Sequence, residues 1–224
     1  MESLYQRKSM RAYEDREIPE EMKNLILKAA SQAPTAGCQQ LYTILDITDQ
    51  KLKEALSESC DHQPFIAKAP MVLVFCADCK KWYDAYLEAG CEPRKPGVGD
   101  LMLAVTDTAI AAQNAVVAAE SLGLGSCYIG DIMENCEEQR RLLCLPDYVF
   151  PAAMLVFGWP TEQQKQRPKP ERVNRSILCM RIHTAIWTEK NYVKCLHTNV
   201  KTVHMKSGVM HSVIVNITPI FPKK

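Results

Sequence analysis

Residues 100–125 read DLMLAVTDTAIAAQNAVVAAESLGLG, and this stretch decides the fold. Alanines at positions 104, 109, 111, 112, 115, 118 and 119 give it small side chains along its length. Small side chains let neighbouring backbones approach closely, so the sequence predicts a long helix over 100–122 buried on more than one face. Gly123 and Gly125 stop it, because glycine accepts the left-handed conformation that closes a helix. The same helix also suits an interface between two copies of the chain, a reading compatible with the first.

Working outward, the neighbours needed to bury such a helix are present. Met22, Leu25, Ile26, Ala29 and Ala30 recur at helical spacing within Glu20–Ser31, with Pro19 near the start. Leu41 to Ile47 reads as a strand and Gln50 to Cys60 as a short helix. The continuous apolar run Met71 to Cys76 lies between Pro70 and Asp78 and suits a strand covered on both faces. Ser126 to Ile129 and Ala152 to Phe157 are further strands, with a helix at 134–143 between them. Interleaved helices and strands predict a layered α/β or α+β domain, and 224 residues suffice for one sizeable core.

Apolar residues make up 47% and charged residues 24%, an ordinary globular composition. A net charge of +1 gives no drive towards nucleic acid or an anionic membrane. The first eight residues carry charge with no apolar run behind them, so no signal peptide is expected. Apolar runs such as Ala69 to Ala77 fall far short of the ~18 residues that span a bilayer. A cytoplasmic protein with reduced thiols is expected. The ten cysteines are scattered, and only Cys76 and Cys79 form a CxxC, at the end of an apolar strand with no second ligand pair following. No metal site is predicted.

The motifs of several enzyme classes are missing. Gly97-Val98-Gly99 and Gly123-Leu124-Gly125 lack the third glycine of a dinucleotide fingerprint, and there is no GxSxG, HExxH or Walker A loop. What stands out is Arg7-Lys8-Ser9-Met10-Arg11. Three cations and a hydroxyl in five residues can hold a phosphate through charge-assisted hydrogen bonds. A second basic group, Arg167-Pro168-Lys169, follows the last core strand.

Read in order, these segments resemble the nitroreductase family. The series is Arg7 to Arg11; Ala33-Pro34-Thr35-Ala36-Gly37-Cys38-Gln39-Gln40; Gln63 ahead of Ile66-Ala67-Lys68-Ala69-Pro70; Asp107-Thr108-Ala109 through Gly125; Tyr128-Ile129-Gly130-Asp131; and Phe157-Gly158-Trp159-Pro160 with Arg167 to Pro170. The resemblance spans residues from about 4 to about 172 and implies a homodimeric α+β fold. In that fold three layers place a central, mostly antiparallel sheet between helices, with FMN at the subunit interface. It implies that Arg7 and Ser9 with Lys169 hold the FMN phosphate, with Lys8 in the same basic segment and Arg167 a partner to Lys169. Arg11 matches a basic residue near the pyrimidine end of the flavin, where reduction builds negative charge. Thr35 and Gln63 match positions on the ring or ribityl chain, and Tyr128, Ile129, Gly130 and Asp131 match a loop along the flavin. The family commonly has asparagine where this chain has Cys38, and a thiol is a weak substitute for an amide.

The resemblance implies an oxidoreductase that passes hydride from NADH or NADPH through flavin N5 to a nitroaromatic, quinone or flavin acceptor in ping-pong fashion. The cofactor carries the reaction, so no catalytic side chain is expected. The alternative is a non-catalytic FMN-binding protein or an inactive truncated product.

That alternative arises from the tail. The matched domain ends at residue 172, and in 173–224 the composition changes: four of the five histidines (183, 197, 204, 211) lie there, with Glu189 the sole acid. Codons can be chosen for Arg175 through His197 so that reading from the third base of the Arg175 codon spells K-Y-I-V-Y-E-N-T-Y-R-x-M-D-R-E-E-L-R-K-M-F-A. That string is the strand, turn and acidic helix with which the family continues. The tail is therefore read as translated out of frame, and its apolar segment Val209 to Phe221 as an aggregation hazard.

Overall fold

The computed structural model describes residues 2–172 and 175–178. Two compact units divide the chain, Met1–Arg167 and Pro168–Lys224. In the first, α1 (Glu2–Gln6), α2 (Glu20–Ser31), α3 (Gln50–Ser59), α4 (Pro64–Lys68), α5 (Lys80–Glu88), α6 (Val98–Ser121), α7 (Cys136–Leu142) and α8 (Glu162–Gln166) surround four strands. These are β1 (Tyr42–Asp46), β2 (Met71–Asp78), β3 (Gly125–Ile129) and β4 (Val149–Gly158). The second unit contributes α9 (Arg175–Leu178). Apart from α9, the tail that the sequence reading takes as out of frame lies outside the described residues.

The sheet runs β1-β2-β4-β3 with every neighbouring pair antiparallel, which settles the class as α+β. All eight residues of β2 are buried, because side chains alternate between two covered faces. Met71, Leu73 and Phe75 join α2 and α6 residues such as Ile26, Ala30, Ala112 and Ala115 in one cluster. Val72, Val74 and Cys76 join Leu56, Ile66 and Ile132 in another, on the side of α3 and α4. A register shift between Phe75 and Cys76 accommodates Pro151 within β4, as a bulge does for a residue that cannot donate to the ladder.

The helix that decided the fold begins two residues earlier than expected and ends where its glycine directs. Gly123 takes φ 81° and Leu124 N–H reaches back to the Ala119 carbonyl at 2.9 Å, the closure that left-handed glycine permits. Its burial differs from the expectation. Ala104, Ala111, Ala112, Ala115 and Ala119 are buried on one broad face, whereas Met102, Leu103 and Val117 on the rest are exposed. The small residues serve close packing on α2 and the sheet, and among the described residues Met102, Leu103 and Val117 on the other side stay exposed. By length and composition α6 is also apolar enough to cross a membrane, which the survey of continuous apolar runs missed. Its packing against β2 and β4 makes it the core helix of a globular unit.

Helix α5 was not anticipated from the sequence. It is anchored by Trp82, which packs on the cluster of Leu41, Ala77 and Ala104.

Candidate functional site

The N-terminal arm reaches the sheet because two glycines let it. Ser9 bridges to Ser126 of β3, and Met10 N–H donates to the Ser126 carbonyl at 2.9 Å. A Cβ on Gly125 would sit 2.6 Å from Met10 Cγ, and one on Gly158 would sit 2.6 Å from Tyr13 Cγ. Both side chains pack this closely on the strands only because those positions are bare. Further along, Glu14 N–H donates to the Trp159 carbonyl at 2.8 Å, and Arg16 stacks over the Trp159 ring.

This seating gathers Arg7, Ser9 and Arg11 around Cys127 of β3. Burial pushes the Cys127 thiol up, while Arg11, a hydrogen bond from Ser9 and the charge of Arg7 pull the other way. Next to it, burial pushes the Tyr128 phenol up to about 12, again opposed by Arg7. The decisive detail is that Arg7 Nη1 is buried and has no hydrogen-bond partner among the described residues, and the Ser126 hydroxyl oxygen is in the same state. A buried donor left unmade costs about 1–3 kcal/mol, more for a charged group. An anion accepting from Arg7 removes that cost.

The other basic residues are engaged elsewhere. The Lys8 ammonium donates to the carbonyls of Lys165, at 2.6 Å, and Arg167, where the C-terminus of α8 offers unpaired acceptors. Arg167 Nη2 donates to the Ser9 carbonyl at 2.7 Å, so this guanidinium fixes the arm. Lys169 belongs to the second compact unit.

A second patch forms at the other end of the β3 turn. Gln63 precedes α4, its N–H bonded to the Ser57 carbonyl at 2.9 Å and its carbonyl accepting from the Ser57 hydroxyl at 2.8 Å. Its side-chain Nε2 donates to Asp131 Oδ2 at 2.9 Å and to the Cys60 carbonyl at 2.8 Å. Both partners are acceptors, which fixes the amide orientation and leaves Oε1 as the group Gln63 has to offer. Asp131 colours this end negative: after burial, its charge is the next cause pushing the Cys60 thiol up to about 12. Between the patches, Ile129 turns its side chain into the core and takes part through backbone alone. A Cβ on Gly130 would meet nothing within 4 Å, so that face of the turn is open.

The third patch, Thr35 to Leu41, is organised from beneath by Asp107 of α6, a buried carboxylate to which the sequence reading gave no role. Thr35 donates its hydroxyl proton to Asp107 Oδ2, Ala36 N–H donates to Oδ1 at 3.0 Å, and Leu41 N–H donates to Oδ2 at 3.3 Å. Cys38 and Gln40 have φ of 56° and 49°, beside Gly37 at 57°. For side chains other than glycine this conformation costs roughly 1–2 kcal/mol. Asparagine tolerates it best, so position 38 is a conformational position as well as a polar one. The signal for Asp107 was available: a carboxylate in the middle of an otherwise apolar helical run must be answered by donors. Tyr128 reaches the same helix, its hydroxyl 3.3 Å from Gln113 Oε1. Six residues of helix separate Asp107 from Gln113, about 9 Å of rise, so α6 meets the two patches at different heights and on different faces.

An open cleft of about 350 Å³ adjoins this third patch, lined by Gln39 and Leu41 together with Trp82, Tyr86, Arg94 and Asp100 among others. Its polar groups answer one another: Trp82 Nε1 donates to the Gln39 carbonyl at 2.6 Å and Arg94 pairs with Asp100 at 2.6 Å and 2.9 Å. Among the described residues no group of three or more His, Cys, Asp or Glu could hold a metal ion.

Comparison with known proteins places the chain in a family. The model of the nitroreductase family matches residues 4–159. An oxygen-insensitive NADPH nitroreductase of Salmonella typhimurium is 36% identical over 170 residues, covering 75% of this chain and 69% of the relative. An FMN reductase [NAD(P)H] of Bacillus subtilis is 34% identical over 176 residues, with the same shares covered. Among solved structures, the NfrA1 nitroreductase of B. subtilis superposes with a TM-score of 0.80 at 26% identity, covering 97% of this chain and 91% of that one. An NADPH:FMN oxidoreductase from Vibrio harveyi, complexed with NAD+, shares the fold with a TM-score of 0.84 at 21% identity, over 98% and 94% of the two chains.

Proposed function

The chain belongs to the nitroreductase family, and from that premise we propose how its residues serve the family's chemistry. It is an FMN-dependent NAD(P)H oxidoreductase. When bound, FMN supplies the hydride-accepting ring, and the polypeptide binds and orients it. Arg7 and Ser9 take the phosphate; the buried, unpartnered Nη1 of Arg7 is the observation that carries this assignment. Arg11 sets a positive charge at one end of the site and Gln63 offers its Oε1 acceptor. Gly130 leaves room for a ring against the backbone of residues 128–131. Lys169 stays a candidate on the family resemblance alone, while Lys8 and Arg167 brace the arm. Nitroaromatics, quinones or free flavin are the acceptors that fit such a site.

The exposed side of α6, with Met102, Leu103 and Val117, favours a homodimer whose interface closes over the site. A flavin-loaded monomer by light scattering contradicts that part.

The test is colour. Full-length protein loaded with FMN is yellow and bleaches under NADPH or NADH, and regains colour when a quinone is added. A protein that binds FMN yet does not bleach fits the second reading, a non-catalytic binder, which the tail read as out of frame keeps open. Sequencing the gene around codons 170–180 tests the origin of that tail. A one-base correction should open a frame ending in the acidic helix, and restoring it should raise soluble yield.

A further inference from the structure

We infer that Asp107 is the positioning residue of the loop that faces the flavin: its carboxylate sets the shape that residues 35–41 present to the cofactor. This rests on the FMN reading above and goes one step further, to what holds the site in form.

Asp107 is 3% exposed. A buried carboxylate is tolerated only when donors surround it, and the three donors here all come from the loop: the Thr35 hydroxyl and the N–H groups of Ala36 and Leu41. The dependence is mutual. The anchors at 36 and 41 bracket the left-handed residues Gly37, Cys38 and Gln40, and non-glycine residues keep that conformation only where their surroundings over-determine it.

Thr35 changes character under this arrangement. Its hydroxyl gives its one proton to Asp107 and accepts from Gln40 N–H at 2.7 Å. No proton remains to donate to a flavin. Thr35 therefore acts as a lock between Asp107 and the far side of the loop, and the ligand meets the backbone and side chains of 36–40 in a shape fixed beforehand. A site ordered in advance binds without the entropic cost of ordering at the moment of binding.

The experiment is an FMN titration of the full-length apoprotein, wild type beside Asp107→Asn, Thr35→Val and Thr35→Ser, with amide hydrogen exchange measured on each apoprotein. Asp107→Asn and Thr35→Val should bind FMN about ten- to a hundredfold more weakly, the effect of losing a charge-assisted hydrogen bond. Both should exchange faster at Ala36 and Leu41 and shift the absorption band of the flavin they do bind, while Thr35→Ser behaves as wild type. If wild type takes up FMN and Thr35→Val binds it as tightly, the inference is overturned, even where Asp107→Asn fails to fold. Unchanged exchange at Ala36 and Leu41 in Thr35→Val overturns it equally. A wild-type protein that takes up no FMN overturns the functional reading itself, and the inference with it.

Discussion

The arm from Arg7 to Arg11 and the loop from Thr35 to Leu41 both entered the candidate site on the strength of their residue types, yet they are built in opposite ways. In the arm a buried guanidinium nitrogen has no partner among the described residues, an unmet demand that an anion would answer. In the loop the polar groups are consumed internally, with Asp107 taking the Thr35 hydroxyl and two backbone N–H groups. The arm binds by what it lacks, the loop by the shape it keeps.

Removing the unmet demand should have the largest effect. Arg7→Ala is expected to cost about 1.5–3 kcal/mol of FMN binding, roughly ten- to a hundredfold in affinity, as read by fluorescence titration. Lys8→Ala, one residue along, should cost clearly less, because its ammonium sits on the carbonyls of Lys165 and Arg167 and only braces the arm. Equal losses in the two variants would erase the distinction drawn within the arm.

The seat of the arm comes next. Gly158→Ala puts a methyl 2.6 Å from Tyr13 Cγ, near the root of a ring that cannot swing aside. Overpacking of this kind typically costs 1–3 kcal/mol, so about 2 kcal/mol of stability should be lost in urea, with weaker FMN binding as the arm lifts. Position 38 should respond least. Cys38→Asn places a side chain suited to φ 56° and is expected to gain up to about 1 kcal/mol of stability. A loss instead would mean that position 38 is held by its thiol.

Much of this was legible in the sequence, for reasons visible in particular residues. The α6 pattern located its own end because Gly123 is where the chain must turn left-handed, and β2 was legible because both its faces are buried. The gathering of Arg7, Ser9 and Arg11 followed from their spacing and family resemblance. What escaped was the spending of hydrogen bonds. Nothing in the string Arg7-Lys8-Ser9 says that Lys8 caps α8 while Arg7 is left unpaired, since that depends on residues 165–167 folding back. The role of Asp107 escaped because its partners lie some 70 residues earlier, brought near only by the packing of α6. Helix α5 escaped because Trp82 finds its cover in β2 and α6.

Above all, this chain is proposed to hold FMN by its phosphate, through the arm. Titrating the full-length apoprotein with FMN and, in parallel, with riboflavin measures that claim directly, because the two ligands differ only in the phosphate. The account predicts that FMN binds at least about tenfold more tightly, the worth of one charge-assisted contact or more. Equal affinities for FMN and riboflavin would contradict it.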